Sequence, residues 1–200
     1  MAANVKELQK RASGQEEAVR LTKNMSIVQM VKALEPEIRR ALETLGRGKI
    51  FSFASKAQVQ IQNAERIIEE ISRAVLSMSK QKVGAILVFE RKTGLADVLD
   101  SGTMLDAEIS SELIENIFYP NTPLHDGAVI IRGVRIACAA AYFPPTTKEL
   151  PTSYGARHRA AVGISEITDS ITIIVSEETG TISIAEAGEL KSYTSEELRD

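Results

Sequence analysis

Leu124-His125-Asp126-Gly127-Ala128-Val129-Ile130-Ile131-Arg132-Gly133-Val134 is the stretch on which the architecture turns. Asp126-Gly127 is turn chemistry, because Gly tolerates positive φ and Asp bonds its own backbone. The apolar residues 129–131 that follow read as a strand. Arg132-Gly133 then turns the chain into a second apolar stretch, residues 134–142, which makes a hairpin. Upstream, residues 84–89 (Gly-Ala-Ile-Leu-Val-Phe) form a short continuous apolar run, the pattern of a strand covered on both faces. Downstream, residues 171–175 and 181–185 are strand-like and are joined by the turn Glu178-Thr179-Gly180. Between these lie helical patterns. Residues 59–80 place Ile61, Ala64, Ile68, Ile71, Val75 and Met78 on one face. Residues 109–118 end at Pro120, and residues 157–167 bury Ala160, Ala161 and Ile164. Hairpins interleaved with helices predict an α/β fold: a mixed parallel and antiparallel central sheet flanked by helices.

Two parts are expected. Residues 59–200 form the domain, and residues 1–58 form an N-terminal helical extension and linker. Residues 1–34 show weak helical periodicity, with Ser13-Gly14 as a break. Pro36 opens a short helix that Gly46 stops, and residues 46–58 read as linker. Residues 90–102 are polar and turn-like, residues 143–155 are a Pro/Thr/Ser/Gly-rich loop, and the tail is acidic and polar.

Composition narrows the function classes. The chain has 200 residues, 44% of them apolar and 26% charged, with a formal charge of −3. Such a balance suits one soluble domain and argues against a general nucleic-acid binder, which carries a basic excess. Residues 1–60 carry 11 Lys/Arg against 6 Asp/Glu, and residues 61–200 carry 13 against 21. A basic leading segment could touch a membrane or an acidic partner; a solvated helix face is the plainer reading. The lone Cys138 sits in an apolar run and reads as a small buried hydrophobe. One cysteine, no signal-peptide pattern and no apolar run of the ~18–20 residues a span needs point to a cytoplasmic protein.

Both histidines fall in the two stretches that could carry chemistry, Leu124–Ala128 and Ala156-Arg157-His158-Arg159. Asp126-Gly127 alone is a structural turn; His125 beside Asp126 adds a metal-ligand pair. Arg157-His158-Arg159 follows Gly155 at a helix start, where free N–H groups and a positive dipole favour anions and forked guanidiniums suit phosphate. Taken alone the cluster is as easily a basic surface. Ser176-Glu177-Glu178 is a hairpin tip that could supply a second carboxylate. No Gly-x-Ser-x-Gly elbow, Gly-x-x-x-x-Gly-Lys-Ser/Thr loop or Gly-x-Gly-x-x-Gly turn is present.

From about residue 83 to 190 the chain resembles the diadenylate cyclase domain, which condenses two ATP into cyclic di-AMP. The matching blocks are Gly84-Ala85-Ile86-Leu87-Val88, Asn121 through Ile131, Arg157-His158-Arg159-Ala160-Ala161-x-Gly163-Ile164-Ser165-Glu166, and Val175 through Gly180. Their order is far more specific than any one motif. Residues 36–48 look like the segment preceding the cyclase domain in the family's membrane-anchored branch, but residues 1–34 are too charged to span a bilayer.

The resemblance implies roles position by position. Asp126 helps bind Mg²⁺ or Mn²⁺ and activates the ribose 3′-hydroxyl, with His125 a further candidate metal ligand. Gly127, Ala128, Ala156 and Ser176 belong to the ATP site, and Leu124 and Tyr142 lie against adenine. Arg157, His158 and Arg159 hold the triphosphate. Glu177 and Glu178 add carboxylates, Glu178 in a catalytic role. The family has Thr where this chain has Ala156, so a hydrogen bond to phosphate worth about 1.5–3 kcal/mol is lost. The alternative is therefore a weak or inactive module that binds ATP or cyclic di-AMP. One set of motifs per chain implies self-association, two copies facing each other to complete the reaction.

Overall fold

The computed structural model describes residues 54–193, with side chains from Arg66 onward. The readings of residues 1–53 and of the tail beyond 193 lie outside the described residues. The elements run α1 (Ala54–Gln81), β1 (Ala85–Phe89), α2 (Ala96–Leu99), β2 (Thr103–Glu108), α3 (Ser111–Ile117), β3 (Ala128–Arg132), β4 (Arg135–Ala141), α4 (Ala156–Ile167), β5 (Ile171–Val175), β6 (Ile182–Glu186) and β7 (Glu189–Tyr193).

All seven strands form one sheet, ordered β2-β4-β3-β1-β5-β6-β7. Only β1 and β3 run parallel; the other neighbours are antiparallel. The expected mixed sheet flanked by helices is what forms. β1 is buried at all five residues because both faces are covered. Ala85, Leu87 and Phe89 face a core shared with Ile67, Ile71, Val75 and Met78 of α1 and with Ile114 and Ile117 of α3. Ile86 and Val88 face the opposite core, with Ala161 and Ile164 of α4, Leu99 of α2 and Cys138 of β4. The period-2 alternation of a strand thus divides one apolar run between two cores.

The structure departs from the sequence reading in several elements. Residues 54–58 are helix, not linker, so α1 runs across the boundary drawn at 58/59. The stretch Ala54-Ser55-Lys56-Ala57-Gln58 has no Gly or Pro to stop a helix. β2 and β7 do not show in the sequence pattern, for a shared reason. They are the two edges of the sheet, and none of their residues is fully buried, so only scattered apolar side chains such as Leu105, Leu190 and Tyr193 mark them in the sequence. β2 is further disguised by a register shift between Met104 and Ala107, where Asp106 has φ +45°.

Among the described residues no helix is long and apolar enough to cross a membrane.

Candidate functional site

One end of the sheet gathers the start of β3, the ends of β4 and β5, and the start of α4. These elements surround a cavity of about 530 Å³. Asp126, Gly127, Ala128, Tyr142, Ala156, Arg157, His158, Arg159, Ser176, Glu177 and Glu178 all line it. Three stretches distant in sequence are therefore brought to one wall, because antiparallel β4 and β5 end where parallel β1 and β3 begin. Two expected residues do not line it. Leu124 is half-buried and packs against the core on the α1 side. The Nδ1 of His125 lies 2.6 Å from the Thr122 carbonyl. That nitrogen therefore carries a proton and donates it, which leaves only Nε2 as a lone-pair ligand.

Gly127 is where glycine is required. Its φ is +134°, and a Cβ there would come within 2.6 Å of the Ala140 carbonyl carbon. β4 answers with its own distortion: Ala140 has φ +53°, and the β3–β4 register shifts after Ala128. The two strands press together at the cavity floor and aim Asp126 outward, where it is exposed.

α4 presents its N-terminus to the cavity. Gly155 caps it without a side-chain hydrogen bond, and its first turn has no acidic residue. The three consecutive side chains that follow Ala156 have different fates, as helical geometry demands. Arg157 is half-buried, and its Nη1 donates to Glu177 Oε2 at 2.8 Å across the cavity mouth. Its Nη2 reaches the His125 carbonyl at 3.5 Å. His158 is only 5% exposed and stacks on Tyr154 with ring centroids 5.0 Å apart. Burial pushes its pKa below the usual imidazole value, so it is neutral at pH 7. It braces the wall and adds no positive charge. Arg159 stays half-buried at the cavity, and its carbonyl accepts the Thr146 N–H at 3.0 Å.

Residues 143–155 are more than a loop. Phe143, Pro145, Ser153 and Gly155 line the cavity. The segment is anchored on α4: Thr146 Oγ1 donates to Glu166 Oε1 at 2.9 Å, and Lys148 Nζ lies 3.0 Å from the same oxygen. Gly163 lets it approach, since a Cβ there would meet the Pro144 carbonyl at 2.6 Å. Ile86, Ala141, Phe143 and Val175 give the cavity an apolar side. Tyr142 stands at the rim, 71% exposed, its peptide N–H donating to Ser101 Oγ at 2.9 Å.

Gly84, expected as the start of a strand and part of a block shared with the cyclase domain, is a supporting residue of the site. It is buried beneath the Arg157–Glu177 pair, and a Cβ on it would lie 2.5 Å from Arg157 Nη1 and 2.9 Å from Glu177 Oε2. Its place at the start of an apolar strand was the available signal, since a glycine there often marks a close approach.

Chemically, the cavity combines an apolar side, a cationic helix N-terminus and carboxylates at the mouth. No group of three or more His, Cys, Asp or Glu able to hold a metal occurs among the described residues. Mg²⁺ is commonly held by one or two carboxylates plus substrate phosphates, so the exposed Asp126 fits an ion that arrives with a phosphorylated ligand.

Comparison with known proteins agrees with this geometry. Residues 72–190 match the family described as DAC, DisA bacterial checkpoint controller nucleotide-binding. The chain is 51% identical over 168 residues to "Cyclic di-AMP synthase CdaA" of Bacillus subtilis, covering 83% of this chain and 61% of that one. It is 52% identical over 165 residues to "Diadenylate cyclase" of Listeria monocytogenes, covering 82% and 59%. It therefore spans about three fifths of the length of these relatives. A crystal structure of a double mutant of DacA from Staphylococcus aureus superposes with a TM-score of 0.66 at 47% identity, covering 69% of this chain and 93% of that one. The matched segment contains every residue of the cavity wall, and the chain belongs to the DAC family of DisA-type nucleotide-binding domains.

Proposed function

We propose that this chain is a diadenylate cyclase that condenses two ATP into cyclic di-AMP and two pyrophosphates where two copies face each other. The observation that carries the reading is the cavity of about 530 Å³ on which Asp126-Gly127, the α4 N-terminus and Ser176–Glu178 converge. Its size suits one nucleotide. The names of the relatives support the reaction.

Adenine would lie on the apolar side formed by Ile86, Phe143 and Val175, with Tyr142 closing over it. The triphosphate would meet the free N–H groups of the first turn of α4, the Arg157 and Arg159 guanidiniums and Ser176. Gly127 would let the sugar and phosphate approach the backbone. Asp126 would hold Mg²⁺ or Mn²⁺ and accept the 3′-hydroxyl proton. When bound, such an ion neutralises phosphate charge and acidifies the attacking hydroxyl. Each 3′-oxygen then bonds to the α-phosphorus of the opposite nucleotide as its bond to pyrophosphate breaks in line. Two such steps close the ring. One set of motifs per chain would hold one nucleotide, so two-fold pairing matches the product's own symmetry.

The deciding experiment incubates the chain with ATP and Mn²⁺ or Mg²⁺ across a range of protein concentrations and measures cyclic di-AMP by mass. Specific activity should rise with concentration until the paired form saturates. Absence of product at every concentration with either metal would defeat the enzyme reading. Ala156 is the feature favouring a binding-only module, because it lacks the hydroxyl the resemblance leads one to expect; ATP affinity without product would select that alternative.

Gly84→Ala gives a sharper check on the phosphate end. The three atoms its Cβ would meet all belong to the ends of the Arg157 and Glu177 side chains, so the fold can yield while the Arg157–Glu177 pair is displaced. ATP affinity, read by calorimetry, should fall about tenfold. The melting temperature should change by less than about 4 °C, the shift expected of roughly 1 kcal/mol in a chain this size.

A further inference from the structure

The loop that carries Ser176, Glu177 and Glu178 is held from outside the sheet. Its last residue, Gly180, is buried against the final turn of α1. Ser79 Oγ donates to the Gly180 carbonyl at 2.6 Å. Gly180 has φ +76°, and a Cβ on it would lie 2.4 Å from the Ser79 carbonyl oxygen, so the contact is tight on both sides. Inside the loop, the Gly180 N–H donates to the Ser176 carbonyl at 2.9 Å, and the Ser176 N–H donates to the Thr181 carbonyl at 3.0 Å. Fixing Gly180 therefore fixes Ser176 and limits where Glu177 can swing.

The same turn of α1 reaches the site a second way. The Lys82 N–H bonds the Ser79 carbonyl at 3.2 Å, and the Val83 N–H bonds Met78 at 2.9 Å. Lys82 takes φ +55° to end the helix, and two residues later the chain is at Gly84, beneath Arg157 and Glu177. The end of α1 thus supports Glu177 through its loop and the Arg157–Glu177 pair through Gly84.

We propose that Ser79 is a positioning residue for the phosphate end of the cavity: its hydroxyl clamps the 176–180 loop to α1 and so holds Glu177 where it orients the Arg157 fork. This rests on the nucleotide reading above. It also ties the loop directly to the helix that leads in from residues 1–53.

The test uses the full chain with Ser79→Ala, Ser79→Thr, Glu177→Gln and the Ser79→Ala/Glu177→Gln double variant. ATP affinity is read by calorimetry with Mg²⁺, and KM and kcat by cyclic di-AMP formation. Ser79→Ala should weaken ATP binding and raise KM about threefold to tenfold. Its kcat should stay within about twofold, as expected for lost ground-state positioning. Ser79→Thr, which keeps the hydroxyl, should restore affinity. In the Glu177→Gln background the alanine should add less than about twofold, because the two act through one contact. Unchanged ATP affinity in Ser79→Ala, failure of Thr to restore it, or full additivity with Glu177→Gln would each overturn the clamp. These results are separable from the parent reading. A wild-type chain that binds ATP without making product still tests the clamp by affinity, whereas one that neither binds nor reacts refutes both.

Discussion

Asp126→Asn should abolish cyclic di-AMP formation while leaving ATP binding nearly intact. The substitution keeps the shape of the side chain and removes its charge and its ability to take a proton. Asp126 is exposed at the cavity wall, next to a glycine that cannot be replaced without strain, so its backbone position is fixed and its carboxylate faces the cavity. Positioned general bases contribute on the order of 10²–10⁴ in rate, and turnover should fall by at least the lower figure. The groups proposed to hold the triphosphate lie elsewhere, on α4 and the 176–178 loop, so ATP affinity by calorimetry should stay within about threefold. Full activity in this variant would take Asp126 out of the mechanism. A large loss of affinity would move it from catalysis to binding.

Much of this arrangement was legible in the chain because local chemistry and global position agree. The apolar run at 84–89 is central in the sheet because nothing in it tolerates water. The Arg132-Gly133 turn makes the β3–β4 hairpin because Gly133 accepts φ +65°. Arg157-His158-Arg159 begins a helix because Gly155 interrupts the chain just before it. What stayed hidden depends on topology. Arg157 and Glu177 are twenty residues apart and meet only because α4 begins beside the point where β5 ends. The 143–155 segment reads as an ordinary polar loop, and its part in the wall comes from Thr146 and Lys148 reaching Glu166.

Sequence also hides the division of labour inside a motif. Three consecutive residues that look like one cationic cluster become a paired guanidinium, a buried neutral imidazole and a second guanidinium at the wall. Burial decides the middle one: desolvation disfavours its charged form, so its packing on Tyr154 matters more than its charge. The same logic bears on Ala156. A helix N-terminus binds anions chiefly through backbone N–H groups, which alanine keeps.

Gly127→Ala should damage both stability and turnover, which separates it from Asp126→Asn. At φ +134° an L side chain is strained whatever the space, and here there is none. The new Cβ would lie 2.6 Å and 2.8 Å from two backbone atoms of Ala140 and 2.9 Å from the Ala141 carbonyl oxygen. All three belong to β4 backbone, so no side chain can swing away to relieve the clash; the strands must separate. Ala140 already sits at φ +53°, which leaves β4 little room to yield. Backbone strain and overpacking together should cost about 2–5 kcal/mol. In a chain of this length that lowers the melting temperature by roughly 5–15 °C, measurable by calorimetric or spectroscopic melting. Because the displaced strands bring Ala128, Ala141 and Tyr142 to the cavity wall, ATP affinity should fall along with stability. A variant that melts like wild type and still binds ATP would show that the β3–β4 contact is looser than these distances require.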